Sequence, residues 1–160
     1  MKPLNADDLQ AFLLANAISA EMLRLPVPTP TVETAAQAVG AQVQQIVKSI
    51  LFLINDQAVL AITCGTAYID RRVIADLYGV GKKRIKLASA EDVVALSGYE
   101  VGSMPPFGHR QPLRSLLDQH VLEQAEVFAG GGAENALLRI SPQEILRVSR
   151  AQVMDLVGGA

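Results

Sequence analysis

Cysteine, tryptophan and long apolar runs are what this sequence has least of. Its one cysteine, Cys64, cannot staple the chain to itself, which fits a reducing compartment and makes a cytoplasmic location the expectation. There is no tryptophan and aromatics make up only 4 %, although half of the 160 residues are apolar, so Leu, Val, Ile and Ala must fill the core. Apolar runs such as Ile50–Ile54 are of strand length, well short of the roughly 18 residues that span a bilayer, and no membrane contact is expected. The opening Met1 to Asp8 has no basic region followed by an apolar stretch, so no secretory signal is expected. Positive charge is not in excess either. Fourteen Lys and Arg against 16 Asp and Glu leave a net −2, which argues against coating nucleic acid by bulk charge and leaves DNA out of the expected partners.

Several kinds of chemistry are excluded by the same scarcity. Two histidines and one cysteine, widely spaced, make no metal-ligand pattern, so neither metal nor other cofactor is expected. The triplet Gly130–Gly132 lacks the Lys-Ser/Thr of a phosphate loop and precedes a strand pattern, not a helix. Cys64 lies at a strand end with no base beside it in sequence and reads as a small buried hydrophobe; a cysteine-dependent hydrolase would be tested by Cys64→Ala. His120 reads as a surface residue.

What is present is a series of short, well-punctuated elements. Asn5 can cap a helix along which Leu9, Phe12, Leu13 and Met22 recur at helical spacing. Pro26 to Pro30 reads as a stiff connection to a second helix, capped by Thr31 and ended by Gly40. After a short helical turn at 42–46, Ile46–Ile54 is apolar on both faces and reads as a buried strand. Asn55-Asp-Gln57 is turn chemistry, and Ala58–Thr63 is its hairpin partner. Asp70 starts a helix to Tyr78, and Ser89 another to Leu96 closed by Gly98. Strands are expected at 84–87, 113–117, 126–129 and 136–140. Ser141-Pro-Gln-Glu144 supplies a cap, an N1 proline and an N3 glutamate for the last helix. The pattern predicts one α+β domain over residues 1–160, with a mixed, mainly antiparallel, barrel-like sheet and flanking short helices.

Two places stand apart. Lys48 puts an ammonium inside a run of Ile, Val, Leu and Phe, where it either snorkels to water from the strand end or is put to use on a carbonyl or phosphate oxygen. Val101 to His109 brackets two prolines and a phenylalanine with glycines. Such rigid, bent backbone suits either a structural turn with Phe107 in the core or a loop that presents its amides to a small substrate. Basic residues cluster at Arg71-Arg72, at Lys82, Lys83, Arg84 and Lys86, and at Arg110 and Arg114. Each cluster is either solvated surface or a contact for one RNA end.

A lysine just inside the first apolar strand, after TPTVETAAQAVGAQVQQIVKS, resembles the YbaK/prolyl-tRNA-editing family of aminoacyl-tRNA deacylases. Gly102-Ser-Met-Pro-Pro-Phe-Gly108 is similar to that family's Gly-x-x-x-Pro-Phe-Gly loop at every fixed position. The triplet Gly130–Gly132 followed by ALLRISPQEILRVS is similar in order and spacing, and the likeness runs over residues 28–157. The resemblance implies that Lys48 is the catalytic lysine, holding the ester or the terminal tRNA backbone. It implies that Gly102, Ser103, Met104, Pro106, Phe107 and Gly108 surround the aminoacyl group and the terminal adenosine, with Ser103 and Met104 tuning which amino acid is taken. Gly131 and Gly132 would border the same pocket and His109 would add a contact; the densest basic cluster, Lys82, Lys83, Arg84 and Lys86, is where tRNA would then be expected to be held. It implies hydrolysis without a Ser-His-Asp triad or a metal, with water or a hydroxyl or thiol of the substrate attacking. The implied substrate is a small residue such as Ala, Cys or Ser esterified to tRNA, foremost proline tRNA, and the implied partners are aminoacyl-tRNA and a prolyl-tRNA synthetase. The alternative is a non-catalytic module that binds a tRNA end or an amino acid as a synthetase accessory.

Overall fold

Residues 2–158 are described by a computed structural model. Its five helices begin where the sequence supplies an oxygen for their first free amides. Asn5 caps α1 (Ala6–Ala15), Thr31 caps α2 (Val32–Val39), and Asp70 caps α3 (Arg71–Tyr78); Ser89 and Ser141 cap α4 (Ala90–Ser97) and α5 (Pro142–Ser149). Asn5 and Thr31 close reciprocal capping boxes with Asp8 and Thr34. Gly40, Gly79 and Gly98 end their helices in the left-handed region.

The described residues also form eight strands, β1 (Ala20–Arg24), β2 (Val47–Ile54), β3 (Gln57–Cys64), β4 (Ile85–Leu87), β5 (Arg114–Asp118), β6 (Val127–Gly130), β7 (Ala136–Ile140) and β8 (Gln152–Met154), with short 3-10 turns between some of them. The β2–β3 hairpin turns on Asn55 and Asp56, both at positive φ (49° and 68°), the geometry of a type I′ turn that matches the twist of the strands. The strands form two sheets, β1-β7-β6 and β4-β2-β3-β5-β8. All pairs are antiparallel except β3–β5 and β5–β8. The α+β class and the mainly antiparallel pairing are as expected. The barrel-like part takes the form of two facing sheets, not a closed cylinder, joined in the described residues by one isolated backbone bridge, Ile46 to Phe128.

Strand alternation sorts the apolar residues into layers. Val47, Leu51, Leu60 and Ile62 of the larger sheet meet Val127, Ala129, Leu138 and Ile140 of the smaller one, with Leu9 and Leu13 of α1 closing the side. On the outer face of the larger sheet, Phe52, Ile54, Val59 and Ala61 pack on Ile74 and Ala75 of α3. Behind the smaller sheet, Phe128 and Leu137 pack on Val32, Ala35 and Ala36 of α2.

Two expectations are corrected. Met22 does not extend the first helix: α1 stops at Ala15, Ala17 sits at φ 51°, and Met22 lies in β1 opposite Leu138. Pro26–Pro30 therefore connects a strand, not a helix, to α2. The short β8 is an addition to the strands expected from sequence.

Candidate functional site

β2 is paired along the whole of one edge but not of the other. On the second edge β4 covers only Phe52–Ile54, and the Ala88 amide then donates to the Leu51 carbonyl at 2.9 Å. The next strand contact on that edge is Ile46 with Phe128, so among the described residues, 48–50 have no strand partner there. A cavity of about 270 Å³ opens at this gap. Thr29 to Val32 and Ala35 bound it at the start of α2, Ala88 and Val93 at α4, Gly102 and Met104 at the following loop, and Gly130 and Leu137 on the smaller sheet. Among the described residues lining it, Lys48 is the only charged one and none is aromatic.

Lys48 is half-buried and stands opposite Thr63 across the hairpin. Among the described residues no carboxylate lies within ion-pairing distance of its ammonium and no hydrogen bond holds it. An ammonium with free donors at the mouth of an apolar cavity can support negative charge developing on a bound carbonyl far better than it could in water. On the opposite face of β2, Ser49 also lines the cavity, and its Oγ is buried without a hydrogen-bond partner among the described residues.

The glycine–proline loop divides into two parts. Gly102 (φ 85°) and Met104 line the cavity. Ser103 is buried behind them, its carbonyl accepting the Gly132 amide at 2.9 Å. Pro106, Phe107, Gly108 and His109 are not among the lining residues. Phe107 is 3 % exposed and stacks on Phe12 of α1, ring centroids 6.1 Å apart, and Gly108 (φ 75°) is pressed against the same ring. His109 donates from Nε2 to the Pro105 carbonyl at 2.8 Å, since a carbonyl can only accept, and burial pushes its pKa below the ordinary value. The second part thus anchors the loop in the core while the first part faces the cavity.

The triple glycine is arranged differently from the expectation. Gly130, the member of the triplet not expected at the pocket, lines the cavity, and a side chain there would collide with the Met104 carbonyl. Gly131 donates to the Ala136 carbonyl at 3.1 Å and Gly132 packs on the Asn5 backbone, so both serve the close approach of chain segments.

Lys82, Lys83 and Arg84 form a 3-10 turn leading into β4, where Lys86 follows, and all four are exposed. Arg84 donates to Asn55 Oδ1 at 2.9 Å. Lys86 directly precedes Leu87, a cavity-lining residue that is itself 58 % exposed, so the cluster runs along an edge strand to the cavity mouth. Arg71 and Arg114 are committed elsewhere, over the rings of Phe52 and Tyr78.

Cys64 is buried. Desolvation, with Asp118 and Glu123 nearby, pushes its thiol up to about 11, which disfavours the thiolate a nucleophile needs. His120 is more than a surface residue: its Nδ1 lies 3.0 Å from Oδ2 of buried Asp118, which raises its pKa. Asp118, His120 and Asp155 bring ligand-type atoms within 4.8 Å of one another, outside the cavity. Asp118 already accepts the Leu156 amide as well.

The family model of the aminoacyl-tRNA editing domain matches residues 27–148. YwhH of Bacillus subtilis is 29 % identical over 124 residues, 77 % of each chain. EbsC of Enterococcus faecalis, a candidate Cys-tRNA(Pro)/Cys-tRNA(Cys) deacylase, is 21 % identical over 125 residues, 78 % of this chain and 75 % of its own. A solved structure of a candidate trans-editing enzyme for prolyl tRNA synthetase superposes with a TM-score of 0.89 at 38 % identity, covering 96 % of this chain and 97 % of the other.

Proposed function

The chain belongs to the aminoacyl-tRNA editing domain family, and from that premise we propose that it is a trans-editing hydrolase that removes a small amino acid wrongly esterified to tRNA, foremost proline tRNA. The observation that carries this reading is Lys48. It is the one charged group lining an apolar cavity, unpaired among the described residues, on a stretch of strand edge left open. In this reading residues 1–160 act as one editing domain, and charged tRNA arrives alone or on a prolyl-tRNA synthetase.

The chemistry asks little of the protein. An aminoacyl ester of ribose is already activated, so holding it and supporting its oxyanion can suffice. Water adds to the carbonyl carbon, the Lys48 ammonium faces the oxygen that gains charge, and the ribose oxygen leaves with a proton. Gly102 and Met104 border the amino acid, and the exposed lysines beside β4 lie where a tRNA end entering past Leu87 would meet them. Such a second pocket answers a real need. A synthetase discriminates side chains that differ by a methylene or hydroxyl by only about 1–3 kcal/mol.

The test is a panel of tRNAs charged with alanine, cysteine, serine and proline, incubated with the protein and scored for free amino acid. Release of one or more small residues, with correctly charged prolyl-tRNA spared, is the expected outcome. Tight binding of the panel without release would identify a non-catalytic accessory module instead.

A further inference from the structure

We propose that Ser49 makes the cavity selective for small side chains ending in a hydroxyl or thiol over alanine; the proposal rests on the reading of the cavity as the aminoacyl pocket. Along β2 the side chains of Val47, Ser49 and Leu51 share the inner face, and all three line the cavity. Val47 and Leu51 are 4 % and 2 % exposed. The cross-strand partners of the three, Cys64, Ile62 and Leu60, are buried and apolar apart from the thiol. Ser49 therefore places one hydroxyl in a wall otherwise built of hydrocarbon.

That hydroxyl is buried and has no hydrogen-bond partner among the described residues. Alanine or valine would fill the position without leaving a polar group unpaired, so the serine costs the fold stability. Of the two other hydroxyls that line the cavity, both beside α2, Thr31 is committed to capping that helix through the Thr34 amide, and Thr29 is partly exposed, where water can serve it. Lys48, on the opposite face of the strand, is the group suited to the ester. Ser49 Oγ is left to the substrate's own side chain. It can both donate to and accept from a serine or threonine hydroxyl, and can pair more weakly with a cysteine thiol. An alanine methyl offers nothing: the Ser49 hydroxyl, already shut away from water, stays unpaired with alanine bound and gains a partner only from the hydroxyl- or thiol-ended side chains. Sites built this way discriminate because the wrong ligand strands their own polar atom.

Single-turnover deacylation of seryl-, cysteinyl- and alanyl-tRNA of one tRNA body, by wild type and Ser49→Ala, tests this. Wild type is expected to favour the seryl ester over the alanyl ester by roughly 10- to 100-fold, with cysteinyl between them. Ser49→Ala is expected to collapse that preference, lowering the seryl and cysteinyl rates far more than the alanyl rate, while its melting temperature stays the same or rises. An equal loss on all three esters would assign Ser49 to the attacking water or the ester and overturn the proposal, as would a wild type that prefers alanine. A wild type inert towards every ester defeats the editing reading itself, whereas hydrolysis without preference defeats only the role given to Ser49.

Discussion

In the function proposed here, Lys48 serves a site without serving the fold. It sits beside Val47 and two residues from Ile50 and has no ionic or hydrogen-bonded partner among the described residues. Removing one member of a buried ion pair destabilises by about 3–5 kcal/mol, and no such pair exists here to break. Lys48→Ala is therefore expected to melt near the wild-type temperature yet lose roughly 100-fold or more in single-turnover deacylation, about 2.7 kcal/mol on the barrier. Early melting, or full activity, would remove Lys48 from the site. The position was legible because a lone charge in an apolar run is conspicuous in any sequence. Ser49 was not, since a serine in a strand is ordinary and its lack of a partner is a fact of tertiary packing. Gly130 could not be told from Gly131 and Gly132 for a similar reason: only the folded chain shows which of the three abuts the Met104 carbonyl.

At the scale of the element, the local signals read true and the distant ones did not. Caps at Asn5, Thr31, Asp70, Ser89 and Ser141 act within three residues and could be recognised from sequence. β1 was hidden because Met22 keeps a helical phase with α1, while the break at Ala17 is a backbone conformation that alanine does not announce. β1 is held instead from a distance. Glu144 of α5 accepts the Ser19 amide at 2.7 Å and Arg147 at 2.7 and 2.9 Å, tying the last helix to the residue before β1. Arg147 first, and then the Ser19 amide, hold the Glu144 carboxyl down from 4.5 to about 2. A carboxylate depressed on folding stabilises the fold above its unfolded pKa, and that support drains away as pH falls from 4.5 towards 2. Glu144→Gln should therefore cost about 2 kcal/mol at pH 7 in urea unfolding. The gap to wild type should narrow across that acid window; a gap independent of pH would show that the carboxylate charge is not what matters.

On the scale of the whole molecule, the fold class could be read but the sheet arrangement could not, because the parallel β3–β5 and β5–β8 pairings join segments far apart in the chain and leave no local trace. The basic cluster is likewise only a string in sequence, and the edge strand β4 turns it into a track ending at the cavity. With a net charge of −2, the tRNA affinity that the proposed function requires is expected from such a track. Replacing Lys82, Lys83 and Lys86 by alanine should weaken tRNA binding in all sequences alike. It should also flatten the log–log salt dependence by about one unit for every phosphate left without its cation. An unchanged slope would move the RNA to another surface. The isolated Ile46–Phe128 bridge carries a last consequence. The two sheets share little backbone there, and the cavity beside it is walled by β2 on one side and by Gly130 and Leu137 on the other. A molecule held in that cavity would rivet the layers together, so in the proposed reading substrate becomes part of the scaffold for as long as it stays. At a hundredfold excess over Kd that rivet adds about 2.7 kcal/mol to the folded state, and hydrolysis, by releasing it, returns the joint to its looser condition.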